Sequence, residues 1–383
     1  MDLEQKMELA LRPPTIEVIT RDELRQVFET YAHPRHYIGF EVSGKVHIGT
    51  GLMTALKVKD LMAAGCKPTI LLADYHAWIN GKFGGDLEKI QRIAKGYFKQ
   101  AFVSLGLDEG KVNYVLASEM YEKMGKDYWK DVLEICNKTT IPRMMRCMTI
   151  LGRTESEASQ TAHLIYPAMQ AADMFALDVQ IAHAGLDQRK VHMLAREVAE
   201  RMGKKKAVAI HGKLLMGLQG PQRMGNEEAM KEKTGPLEIE VTGTKKKTQV
   251  SETKAMVEDE IQIRFKMSKS KPETCIYVHD SEEEIKKKMG KAFCPERTIE
   301  NNPIIDLAEQ IMMRDGNVLR ITRPAKFGGD IDFNNVAELK KGYADGKLHP
   351  VDLKAAVAFE LARVLEPSRK YFEKHSELLN FGD

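Results

Sequence analysis

The chain has 383 residues, against about 100–200 for a single domain, so two domains are expected. Apolar residues at 43% and charged residues at 30% suit a globular core, and no run approaches the roughly 18 uncharged apolar residues of a membrane span. The net charge of +3 is too balanced to argue for nucleic acid or an anionic membrane, and too balanced to exclude a local basic patch. The first residues, MDLEQKMELA, carry no apolar stretch behind a basic start, so no secretory signal is expected there. Five cysteines (66, 136, 147, 275 and 294) form no C-x-x-C pair, and reduced thiols in the cytoplasm are the expectation.

Short apolar runs and amphipathic patterns alternate through the first 200 residues. His36–Val42 reads as a strand, and after Ser43-Gly44-Lys45 a helical pattern carries Leu52, Leu56, Leu61 and Met62. That helix should stop near Gly65, a residue suited to the left-handed position after a helix end. Pro68–Ala73 suits a buried parallel strand. From Asp86 as N-cap, apolar residues between Ile90 and Leu105 recur at helical spacing. Lys111–Leu116 offers the next strand, and a helix is expected over about Asp127–Gly152. This order predicts an α/β fold with a parallel sheet and right-handed crossovers. Ligands on such sheets sit beyond the carboxyl ends of the strands, at a switch in strand order, and the Ser43–Thr50 turn lies at such an end.

One stretch breaks the rhythm. From Pro221 to Arg264, 17 of 44 residues are charged and none is aromatic, which predicts a surface insertion over 221–265. Alternation at Leu237–Val241 and Ile261–Phe265 allows a small hairpin within it. A compositional change near Lys291 divides a domain at 1–290 from a second at 291–383, whose strongest helix is Pro350–Lys370. The second domain sums to −1, leaving +4 for the first, so neither is strongly basic.

Two constellations could carry chemistry. Ser43-Gly44-Lys45-Val46-His47-Ile48-Gly49-Thr50 joins a strand to a helix, whose free N–H groups and positive dipole end suit phosphate. Gly49 lets another molecule approach the backbone, and His47 could donate to a phosphate oxygen. Taken by itself the segment also fits a plain turn with a capping histidine, and it is not a P-loop. Lys266-Met267-Ser268-Lys269-Ser270-Lys271 follows the charged stretch and reads either as a cationic loop for a polyphosphate or as a solvated charge run.

As a pair, these segments resemble the "HIGH" and "KMSKS" signatures of class I aminoacyl-tRNA synthetases. Tyr37-Ile38-Gly39-Phe40-Glu41, Leu72-Ala73-Asp74-Tyr75-His76-Ala77, Tyr166-Pro167-Ala168-Met169-Gln170-Ala171-Ala172-Asp173 and Asp187-Gln188-Arg189-Lys190 narrow the resemblance to tyrosyl-tRNA synthetases of archaeal and eukaryotic type. Phe327-Gly328-Gly329-Asp330 and Leu348-His349-Pro350-Val351-Asp352-Leu353-Lys354 extend it into the last domain. Thr50 stands where the signature has a second histidine, leaving a hydroxyl in place of an imidazole.

The resemblance implies a Rossmann-like catalytic domain followed by a mainly helical anticodon-binding domain. It implies tyrosine activation by ATP and transfer to tRNA(Tyr), with Mg²⁺ riding on the phosphates and no tightly bound cofactor; no Cys/His cluster suggests zinc. By resemblance, Tyr37 and Asp173 hold the phenolic hydroxyl of the substrate, and Tyr166, Gln170 and Gln188 its ammonium group. Tyr166, Gln170 and Asp173 stand at i, i+4 and i+7, one face of a helix, which alone could equally look at water. His47, Gly49 and Thr50 would meet ATP from the helix side, with Lys266 and Lys269 closing from the loop. Arg146, Arg189 and Lys190 match acceptor-stem contacts, and Phe327, His349 and Asp352 an anticodon site. Relatives are homodimers with the helix around Asp127–Gly152 near the interface. Tryptophanyl-tRNA synthetase, the nearest rival, has no use for a pocket built around a hydroxyl, because an indole offers only an N–H donor.

Overall fold

The computed structural model describes residues 1–151, 160–221, 263, 265–269 and 271–381. Two compact units emerge: Met1–Lys213 with Pro367–Asp383, and Leu214–Glu366.

The first unit begins with α1 (Leu3–Leu11), β1 (Thr15–Ile19) and α2 (Arg21–Thr30). Capping boxes Asp2–Gln5 and Thr20–Glu23 start the two helices, each satisfying donors that a helix end leaves orphaned. Next come β2 (Arg35–Glu41), α3 (Leu52–Ala63), β3 (Lys67–Ala73) and α4 (Asp74–Ile79), then α5 (Leu87–Ile93), α6 (Lys99–Ser104) and β4 (Asn113–Leu116). Gly65, at φ +96°, turns the chain out of α3 as its position predicts. Then follow α7 (Ala117–Met124), α8 (Lys126–Asn137), α9 (Ile141–Met145), α10 (Thr161–Ala176), β5 (Ile181–Gly185), α11 (Arg189–Arg201) and β6 (Val208–Gly212).

The sheet order is β1-β6-β5-β2-β3-β4, parallel throughout except for β1, which runs antiparallel to β6. The expected parallel sheet is therefore present, with an antiparallel edge strand added. From β2 the chain proceeds outward to β3 and β4, then returns to lay β5 on the other flank of β2. Strand order thus switches between β2 and β5, and a crevice opens beyond their carboxyl ends. Adjacent residues of β5 feed opposite faces: Ile181 packs with Leu24, Phe28 and Leu61, and Ala182 with Val132, Ala172 and Leu194. Buried Lys57 ties α3 to the end of α1, donating to the carbonyls of Leu9, Ala10 and Arg12 at 2.9, 3.2 and 2.7 Å.

Three expectations change. The helix expected over Asp127–Gly152 stops at Asn137, and a new one starts from the Thr140 cap with Pro142 in its first turn, where a missing N–H is tolerated. The helix expected over Pro350–Lys370 divides at Leu365, ahead of Pro367, into Pro350–Val364 and Glu366–Lys374. The compact units also divide elsewhere than at 290/291. Described residues on the two sides of 290/291 pack together: Phe293 N donates to Leu218 O at 2.6 Å, and Lys354 Nζ to Gly290 O at 3.0 Å.

The last residues return to the first unit. Ser368 Oγ lies 2.7 Å from Ser104 Oγ, and Phe372 and Phe381 pack on Tyr97 at 5.4 and 4.9 Å between ring centroids. The second unit holds a two-stranded ladder, Leu319–Ile321 with Ile331–Phe333, beside helices Glu282–Lys291, Pro303–Leu307, Val336–Ala344 and Pro350–Val364. The expected hairpin and nearly all of the 221–265 stretch lie outside the described residues.

Candidate active site

Tyr37, Gly39 and Glu41 alternate along β2 and so share one face of the strand. A Cβ at residue 39 would lie 2.6 Å from the Tyr37 hydroxyl oxygen, so glycine is what lets that phenol fold along the strand. Tyr37 is buried, and burial, followed by the charge of Asp173, raises its phenol above the ordinary range.

Asp173, 1% exposed on α10, forms the deep end of this crevice. Tyr121 and Tyr128 each donate to its Oδ1 at 2.9 Å, whereas its buried Oδ2 accepts no hydrogen bond from the described residues. The two phenol rings stack at 4.0 Å. Burial pushes the Asp173 carboxyl up to about 7 against the pull of both phenols, with nearby Asp74 adding to the rise. His76 Nε2 stands 3.8 Å from Oδ2, beyond hydrogen-bond reach. Burial drops His76 to about 3, so its ring is neutral. Asp74, the first residue of α4, accepts from Ser118 N at 3.0 Å and so satisfies a donor in the first turn of α7, the helix that carries Tyr121.

The outer end is more polar. Glu41, 19% exposed, accepts from Asn80 Nδ2 at 2.7 Å and from Tyr166 Oη at 3.3 Å, and pairs with Lys82 Nζ at 3.3 Å. Tyr166 meets the His76 ring edge-on at 4.5 Å. Gln170 Nε2 donates to Gln188 Oε1 at 3.1 Å, joining α10 to the turn after β5. Tyr37, Tyr166, Gln170, Asp173 and Gln188 thus all lie in one unit, with Gln170 bonded to Gln188 and Tyr37 and Tyr166 both feeling the Asp173 charge.

The Ser43–Thr50 turn is anchored by buried Val46 and Ile48, and Val46 N donates to Tyr97 Oη at 2.8 Å. His47 Nε2 and Thr50 Oγ1 are 3.3 Å apart, so the residue in place of the second histidine partners the first. The N-cap position of α3 is Gly51, which has no side chain to cap the helix. In the second unit, Lys266 bridges Met216, Met267 N donates to Leu215 O at 2.6 Å, and buried Phe265 and Met267 anchor the half-buried Lys266 and Lys269. Ser270 lies outside the described residues.

Arg189 is engaged, its Nε donating to both oxygens of Glu17 at 3.0 and 2.9 Å, while Arg146 and Lys190 are exposed. Phe327 is 58% exposed under the Lys326 ammonium, so it is not a core aromatic. His349 caps the Pro350–Val364 helix through Val351 N at 3.2 Å and lies 3.4 Å from Glu296, with Asp352 in that helix's first turn. Among the described residues, no three His, Cys, Asp or Glu side chains converge as a metal site.

The chain matches the family model for class I tRNA synthetases of tryptophan and tyrosine over residues 30–232 and 240–366. It belongs to that family. A tyrosine–tRNA ligase of Thermococcus sibiricus is 48% identical over 393 aligned positions, covering 99% of this chain and 97% of that protein. A tyrosyl-tRNA synthetase of Pyrococcus horikoshii, solved in complex with L-tyrosine, is similar at TM-score 0.86 and 46% identity, covering 100% of this chain and 99% of that one. A tryptophanyl-tRNA synthetase of Aeropyrum pernix shares the fold, at TM-score 0.64 and 18% identity over 94% of this chain and 83% of that one.

Within this class I synthetase, the sequence reading names Tyr37 and Asp173 but assigns no role to Glu41, His76, Tyr121 or Tyr128. Glu41 was legible from the alternation of β2. Tyr121 and Tyr128 carried no comparable signal, since they lie on two helices separated by Gly125.

Proposed function

We infer that this class I synthetase activates L-tyrosine with ATP and transfers it to tRNA(Tyr). The observation that carries the choice of amino acid is the buried Oδ2 of Asp173 beside Tyr37, unpartnered among the described residues, an acceptor that a phenolic hydroxyl would satisfy. In the first step the tyrosine carboxylate forms a bond to the α-phosphorus of ATP as the bond to the β-phosphate oxygen breaks, releasing pyrophosphate. A terminal ribose hydroxyl of the tRNA then attacks the tyrosyl carbonyl, and AMP leaves. The carboxylate is already ionised at neutral pH, so the first step needs no protein base, and positioning and charge stabilisation dominate.

Tyr37 and Asp173 take the phenol in this reading, and Tyr166, Gln170 and Gln188 the ammonium group, with Glu41 holding Tyr166. The backbone at Gly49 and the side chains of His47 and Thr50 meet the phosphates of ATP, supported by the start of α3 behind Gly51. Lys266 and Lys269 supply charge to the same phosphates during the reaction, and Mg²⁺ enters with the nucleotide. Arg146, Arg189 and Lys190 approach the acceptor stem, while Phe327, His349 and Asp352 read the anticodon, the exposed Phe327 ring offering a stacking surface. The protein works in the cytoplasm as a homodimer. Trp129 and Leu133, 40% and 69% exposed one turn apart on α8, support a partner there.

The test is ATP–pyrophosphate exchange with tyrosine, tryptophan and phenylalanine offered separately. Exchange dependent on tyrosine alone is expected. Exchange driven by tryptophan but not tyrosine would overturn the reading, and tRNA binding without any exchange would make the protein a non-catalytic RNA-binding relative.

A further inference from the structure

We propose that Tyr121 and Tyr128 are positioning residues for amino-acid selection: their phenols grip one oxygen of Asp173, favour its anionic form against the cost of burial and leave the other oxygen to the substrate hydroxyl. The proposal rests on the tyrosine reading above and deepens it.

Among the described residues, the groups that face Asp173 are Tyr37 from β2, Asp74 and His76 from α4, Tyr121 from α7, Tyr128 from α8 and Tyr166 from α10 itself. None of these six is a cation, because the buried His76 ring is neutral. A buried anion without a cation is held only by hydrogen bonds to its charged form, and the two phenols supply them. Both bonds fall on Oδ1 at 2.9 Å, which fixes the carboxylate plane as well as its charge. The grip is itself rigid. The rings stack at 4.0 Å, Asp74 satisfies a donor in the first turn of α7, and Gly125 at φ +55°, ψ −128° makes the sharp turn that brings α8 back beside α7. An amino acid with a phenolic hydroxyl completes Oδ2, whereas phenylalanine leaves it buried and unpaired.

The experiment compares full-length Tyr121→Phe, Tyr128→Phe and the double variant, which keep the ring stack and delete only the donors. Protein labelled with ¹³C at aspartate carboxyls, with the Asp173 resonance assigned through Asp173→Asn, reports the protonation midpoint without substrate. That midpoint is expected to rise by about one pH unit in the double variant and by less in each single one. In tyrosine-dependent pyrophosphate exchange, the acid limb of kcat/KM should move up with it, and preference for tyrosine over phenylalanine near pH 7 should fall about ten-fold. An unmoved midpoint, or a loss of activity equal at every pH, would overturn the proposal. If the double variant does not fold, the single variants decide by the same midpoint. If the wild type shows no tyrosine-dependent exchange, the functional reading fails, while the midpoint still decides whether the phenols favour the anionic form of Asp173.

Discussion

The two ends of the crevice in the first unit solve the problem of a carboxylate in opposite ways. Asp173, at the deep end, is surrounded by phenols and a neutral imidazole and takes its support from uncharged donors. Glu41, nearer solvent, has an amide, a phenol and the Lys82 ammonium. A hydroxyl is the only feature separating tyrosine from phenylalanine, whereas the ammonium and carboxylate groups are common to every amino acid. On the proposed reading, selection belongs to the end where an unpaired oxygen is costly, and general attachment to the end where water and ions soften any mismatch.

Removing the deep acceptor should have the largest effect. Tyrosyl-tRNA synthetase is itself the established example of rejecting a substrate that lacks a hydroxyl, by about 10⁵-fold without editing. Asp173→Ala is expected to reduce the tyrosine-to-phenylalanine ratio of kcat/KM by at least about 10³-fold. A ratio left intact in pyrophosphate exchange would place selection elsewhere.

The same residue should carry a stability cost with a defined pH dependence. Its carboxyl keeps a proton up to about 7 when folded, against roughly 4 when unfolded. Folding therefore takes up a proton between these values, stability from this group falls as pH rises through that window, and the loss is complete above it. Asp173→Asn, an isostere without charge, should gain on the wild type as pH rises from 5 to 8, by about 3 kcal/mol. Urea unfolding at the two pH values measures the gap, and a gap that shrinks would contradict the assignment.

Changes at the outer end should blunt both amino acids alike. Glu41→Gln removes the charged partner of Lys82 and is expected to raise KM for tyrosine about ten-fold while leaving the ratio to phenylalanine within two-fold. A changed ratio would dissolve the distinction between the ends. Tyr166→Phe, which deletes the hydroxyl proposed to meet the substrate ammonium along with its 3.3 Å bond to Glu41, should raise KM by a similar factor in the same assay.

Much of this arrangement was legible because it follows short periods. The alternation of Tyr37, Gly39 and Glu41 places them on one strand face, and the spacing of Tyr166, Gln170 and Asp173 places them on one helix face. What escaped depends on distance. Tyr121 and Tyr128 reach Asp173 across about fifty positions and two helices, and no local pattern announces such a meeting. Strands β5 and β6 are five residues each, IAHAG and VAIHG, too brief and too interrupted by histidine for a periodic signal. The unit boundary was hidden for another reason. Composition records where the chain changes character, whereas a segment that leaves one core and later rejoins it changes nothing in composition.

That return has a consequence in time. Phe372 and Phe381 pack on Tyr97, whose hydroxyl accepts the N–H of Val46 beside His47. A ribosome makes the His47 turn well before the residues that buttress it, so growing chains fold their early parts while this support is still unmade. A product broken off before residue 367 would hold every side chain proposed for the active site yet lack that brace. In this architecture the Tyr97 ring that holds the turn gains its own backing only once residues far downstream have been made.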